Sequence, residues 1–237
     1  ICYLINNELT RDESINDNKV EEDADFNHAL QGFIDSLNIM EWIFKDYNEL
    51  APPIIETAAN PDSQEPTESI TKWMFTILQF MKAPFPQLQT NSITAGMYGT
   101  SMIMRIHPVD QSKYFTELIN LFNSEEPEVV GACFKAFNYF VKDDIPIDPK
   151  YIDEAIKAAF CALEGSLQFQ KKKRNFDFHS SKHVFRFFKS LFIKSMKLGN
   201  PEAFPLQKFI SSGNKMLNGS RQLFEMAQYI KVLNFIY

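Results

Sequence analysis

The sequence predicts an all-α fold in which about five helical hairpins stack as a right-handed α-solenoid. Three observations carry this. Apolar residues recur at three- and four-residue spacing along most of the 237 residues. Glycine is sparse at 8 residues, and the one Asn-Gly pair, Asn218-Gly219, lies between helical patterns rather than alternating ones. Helix starts also recur, near residues 26, 67, 109, 148 and 201, at intervals of roughly 41, 42, 39 and 53. With 45% hydrophobic and 14% aromatic content there is enough apolar material for a large shared core.

The first pair is read as Asp25–Lys45 with Asn48–Ala58, followed by the loop "ANPDSQEPTE". Thr67 can cap the next helix, "ESITKWMFTILQFM", where Ile70, Trp73, Met74, Ile77 and Met81 share one face. "KAPFPQ" breaks the chain, and a partner helix is expected from about Asn91 to Ile106. Gly96, Gly99 and Ser101 leave that helix lean, so a neighbouring backbone is expected close by. In the third pair "HPVDQSKYFTELINLF" turns Tyr114, Phe115, Leu118, Leu121 and Phe122 inward. Pro127 then opens "PEVVGACFKAFNYFV": its missing N–H is harmless in a first turn, and Glu125, Glu126 and Glu128 complement the helix dipole. Val130, Cys133, Phe134, Phe137, Phe140 and Val141 form its apolar stripe, while Gly131, Ala132 and Ala136 are small enough for another helix to lie close. "DPKYIDEAIKAAFCALEGSL" and "SSKHVFRFFKSLFIKSM" make the fourth pair, and helices from about Pro201 and Gly219 the fifth. The chain opens on Ile1 in "ICYLI", which reads as part of a longer protein. Residues 1–25 are expected to be an acidic mobile segment after the end of a preceding helix, and residues 26–237 the helical array.

Pro127–Phe140 resembles the second helix of a HEAT repeat, through Pro127, Val129, Cys133, Ala136, Phe137 and Phe140. It departs from that pattern where Val130 stands for the usual basic residue, cysteine for alanine and phenylalanine for leucine. The resemblance implies a HEAT- or armadillo-type scaffold that binds extended or helical partner segments without catalysis, as nuclear transport receptors and adaptors do. A second stretch, "DFNHALQGFIDSLNIMEW", is similar at Phe26, Asn27, His28, Leu30 and Trp42 to the helical domain of the actin-regulating cyclase-associated proteins.

Charge is polarised along the chain. Residues 1–66 hold fifteen acidic residues against Arg11, Lys19 and Lys45, within an overall net charge of −6. Residues 171–197 hold nine basic residues against Asp177 alone. Lys171, Lys172, Lys173 and Arg174 fall in a linker, and Lys182, Arg186 and Lys189 on the following helix, so these seven are the candidate partner-binding residues. They suit an acidic peptide, and nucleic acid or an anionic lipid surface is the alternative. The competing reading of the helix is a solvated face opposite Val184, Phe187, Phe188, Leu191 and Phe192.

Nothing in the sequence matches a Walker loop, GxGxxG, GxSxG or HExxH, so the expectation is a non-enzyme without cofactor or metal, with a motif-less helical enzyme as a rival. Asp143 and Asp144 fall at a helix end, where solvation accounts for them. His179 and His183 are spaced for one helix face, but no cysteine or carboxylate nearby completes a metal site. Cys2, Cys133 and Cys161 are odd in number, and the last two lie in apolar helical patterns as reduced thiols do, which points to the cytoplasm or nucleus. No apolar run is long enough to span a bilayer.

Overall fold

The structure is a computed structural model that describes residues 19–46, 68–106, 111–218 and 222–237. Among the described residues it is all-helical, with no strand. The helices are α1 (Lys19–Asp46), α2 (Glu68–Lys82), α3 (Pro86–Ile106), α4 (Ser112–Leu121) and α5 (Pro127–Lys142), then α6 (Pro149–Glu164), the short α7 (Gln168–Lys171), α8 (Phe178–Lys197), α9 (Leu206–Leu217) and α10 (Leu223–Ile236). A single 3₁₀ turn, Pro201–Ala203, precedes α9. The expected helix Asn48–Ala58, the loop after it, the Thr67 cap and Cys2 lie outside the described residues.

Local chemistry accounts for most boundaries. Pro127 and Pro149 each occupy a first turn, where no N–H is needed. The Asp148 carboxylate accepts the Lys150 N–H at 3.0 Å, and Asp177 accepts that of Ser180 at 2.6 Å, so α6 and α8 are capped from the side. Gly165, at φ 76°, ends α6 in the left-handed conformation, and the Ser166 N–H returns to the Cys161 carbonyl at 2.9 Å. Two starts differ from the sequence reading. The break after α2 is shorter than expected because Pro86 begins α3 instead of preceding it. α1 begins at Lys19, ahead of the expected Asp25.

Packing runs between near neighbours in the chain. α1 lies against α3, α3 against α5, α5 against α8 and α8 against α10. The alternate helices make a second series, α2 with α4, α4 with α6 and α6 with α9, joined to the first through α2 with α3, α4 with α5 and α9 with α10. No extensive contact links α1 or α2 to α9 or α10 among the described residues. α1 lies alongside the second helix of the next expected pair, and its own expected partner, Asn48–Ala58, lies outside the described residues. Its apolar residues Ile34 and Leu37 are buried, and Phe33 meets Phe80 at 5.3 Å between ring centroids.

The core is unusually aromatic, and its rings meet across helices. Phe115 of α4 contacts Phe140 of α5 at 5.2 Å, Phe137 of α5 contacts Phe187 of α8 at 6.3 Å, Phe188 contacts Phe209 of α9 at 4.8 Å, and Phe209 contacts Tyr229 of α10 at 5.2 Å. Burying each such side chain stabilises the fold by about 1.5–3 kcal/mol, with a further ~0.5–1.5 kcal/mol from ring geometry. The inward residues read from α4 and α5 are all buried, whereas on α8 Val184, Phe187 and Phe188 are buried and Leu191 and Phe192 only half-buried. Gly96 does meet a close neighbour, but it is the Tyr114 ring and the Ile77 side chain, not backbone.

Candidate functional site

The candidate basic residues separate into two groups. Lys171 closes α7, and Lys172, Lys173 and Arg174 form the turn that follows, with Lys173 at φ 61°. That turn is bound to the one before α5. Arg174 Nη1 donates to the Glu125 carbonyl at 2.7 Å and to Glu126 Oε1 at 2.8 Å, and Lys172 pairs with Glu125. Half of the linker's charge is thus neutralised within the chain, and Lys171 and Lys173 remain exposed.

The second group lies on α8. The helix buries Val184, Phe187 and Phe188; Phe187 meets Phe134 and Phe137 of α5, and His183, one turn before it, shares that side, with Arg186 and then Lys182 further round the helix. Lys182 Nζ lies 2.9 Å from His179 Nδ1, Arg186 is exposed, and Lys189 Nζ stands 3.9 Å above the Phe235 ring. Lys194 and Lys197, further along, reach Asp144 at 3.5 and 3.9 Å.

Sequence reasoning missed the residue that completes this face. Lys135 of α5, flanked by the buried Phe134, Ala136 and Phe137, extends over α3, where Nζ is 3.4 Å from Thr94 Oγ1 and 3.9 Å from Glu41 Oε1 of α1. Burial lowers its pKa below the ordinary lysine value; Glu41 opposes that shift, and Lys45 and Lys182 add to it. His183 feels the same field. Burial, then the charges of Lys182, Lys135 and Arg186, push its pKa down to about 4, so the ring is neutral at pH 7. Its Nδ1 is buried without a hydrogen-bond partner among the described residues. A metal ion would be repelled here by the same cations, and among the described residues no three histidine, cysteine or carboxylate side chains gather to hold one. The one signal for Lys135 in the sequence was a lysine inside the most apolar stretch of α5, a position where only an amphipathic reach to the surface is tolerable.

The helices that carry these residues are joined directly. Ser190 of α8 donates to Asn138 Oδ1 of α5 at 2.9 Å, and Tyr98 of α3 meets Tyr139 of α5 edge-on at 5.0 Å. On the other series of helices a shallow hollow of about 290 Å³, lined by Thr116, Ile119, Asn120, Tyr151 and Glu154, separates α4 from α6, and the Lys150 ammonium at its rim is held by Asp148 at 3.0 Å. The thiols Cys133 and Cys161 are free, and Cys133 is fully buried, with burial and then the Glu117 charge raising its pKa. Among the described residues no helix is long and apolar enough to cross a membrane. No family model matches the chain, and neither does any curated protein or solved structure.

Proposed function

We propose that this chain is a HEAT- or armadillo-type α-solenoid of about five hairpins that acts as a non-catalytic protein-interaction scaffold. Its occupants are extended or helical segments of partner proteins, in the manner of a transport receptor or adaptor of the cytoplasm or nucleus. The single observation that supports the reading is the order of contacts: α1, α3, α5, α8 and α10 follow one another, and so do α2, α4, α6 and α9. A helix pair cannot cover its own apolar face, so pairs stacked in chain order share a core and leave the outer face of each series open along its length. The linker charges favour a protein partner over a nucleic-acid or membrane surface, since Lys172 and Arg174 are already committed to Glu125 and Glu126.

Small-angle scattering tests the reading. A compact domain of this length has a radius of gyration of about 18 Å. A stacked array gives a clearly larger value and a skewed, elongated distance distribution, and a compact profile would remove the scaffold reading.

A further inference from the structure

We infer that Lys135, Lys182, His183 and Arg186 form a recognition site for a carboxylate-rich segment of a partner protein, which rests on the scaffold reading and names the chemistry of its ligand. Ser180, Phe187 and Ser190 of α8 meet Gly131, Phe134 and Asn138 of α5, which brings His183 and Arg186 alongside Lys135, and the carboxylates near them are Glu41, which reaches Lys135 at 3.9 Å, and Asp177 at the start of α8. Lys135 is partly withdrawn from water and carries a desolvation cost that this long contact offsets only in part. Arg186 is exposed and makes no ion pair among the described residues, so its planar fork is available for a bidentate carboxylate. His183 adds a half-buried ring whose Nδ1 has no hydrogen-bond partner among the described residues. An incoming carboxylate would compensate three cations at once and favour the protonated, donating form of the ring.

The neighbouring charges confine the site. Lys172 and Arg174 are taken by glutamates, Lys189 by the Phe235 ring, and Lys194 and Lys197 by Asp144. The exposed Lys171 and Lys173 of the linker keep their charge as well, so they serve as the control below, and the oligothymidylate arm of the test distinguishes a carboxylate ligand from a phosphate backbone, whose binding needs cations spaced along the strand. The net charge of −6 also opposes a polyanion at long range.

The test is fluorescence anisotropy with a fluorescein-labelled oligoglutamate peptide. Three proteins are compared: the unaltered chain, the Lys182→Gln/Arg186→Gln variant, and a control, Lys171→Gln/Lys173→Gln, that removes the same charge from exposed positions. Affinity should fall roughly tenfold or more in the first variant and stay within about twofold in the control. Arg186→Gln alone, at an exposed position, should weaken binding roughly threefold and covers the case in which the double variant is poorly folded. No peptide binding, equal weakening in both double variants, or displacement of the peptide by an oligothymidylate acting through the same residues would overturn the site. Absent peptide binding with an elongated scattering profile removes this site alone, whereas a compact profile removes the scaffold reading itself.

Discussion

Gly131 and Ser180 hold α5 and α8 in backbone contact: a Cβ placed on Gly131 would stand 2.5 Å from the Ser180 Cβ and 2.8 Å from its Cα. Alanine there gains about 1 kcal/mol of helix propensity. The obstruction is main chain, which cannot rotate aside, and such overpacking costs about 1–3 kcal/mol or more. Gly131→Ala should therefore lower stability, read as a lower urea midpoint, and Ser180→Gly should restore only part of the loss. A neutral or stabilised Gly131→Ala would mean that the two helices lie further apart.

Phe187 joins Phe134 and Phe137 of α5 to Phe188 of its own helix. Phe187→Ala should cost about 3–5 kcal/mol, since the surrounding rings are too rigid to refill the space. Leu198→Ala, at a residue 72% exposed, should stay within about 0.5 kcal/mol. Circular-dichroism melts of the two variants measure the difference.

The pairs of Lys172 and Arg174 with Glu125 and Glu126 are exposed and screened by salt. Replacing Lys172 and Arg174 together by glutamine should leave the unfolding midpoint nearly unmoved at physiological salt. It should instead increase amide hydrogen exchange in the turns on either side of the lost pairs, measured by mass spectrometry. A large fall in stability would show that this linkage holds α7 to α5 far more firmly than an exposed pair can.

His183 makes stability pH-dependent. Its pKa in the folded chain, about 4, lies below the value near 6.5 of an unperturbed histidine, so the unfolded chain takes up the proton more readily. The contribution of the neutral ring is intact above about pH 6.5 and is lost as pH falls toward 4. Asp177 works against the shift, while Lys182, Lys135 and Arg186 support it. His183→Gln should accordingly flatten the fall in urea midpoint between pH 7 and pH 4.5, and an unchanged slope would assign that fall to the carboxylates.

The helical class and the inward faces of α4 and α5 were legible because each rests on local information. Periodicity places Phe134, Phe137 and Phe140 on one stripe whatever packs against it, and Pro127 marks the start of α5 by its own chemistry. The place of α1 beside α3 was not legible, since it is decided by which apolar surface α1 finds and not by anything within it. The basic face was half legible. Lys182 and Arg186 stood out as a charge run, but Lys135 and Glu41 come together only when α1, α3 and α5 are in position, and of the run's other members Lys172 and Arg174 are paired with acids and Lys189 with a ring.

Phe115 in α4 touches both Phe140 and Phe137, and from Phe137 ring touches ring through Phe187, Phe188 and Phe209 to Tyr229 in α10. Hairpins clipped together only at their edges would peel away singly when tugged from one terminus. Here a load applied at Tyr237 passes into ring contacts that run from α10 across to α4, so the molecule should resist until one abrupt rupture and then give way as a block.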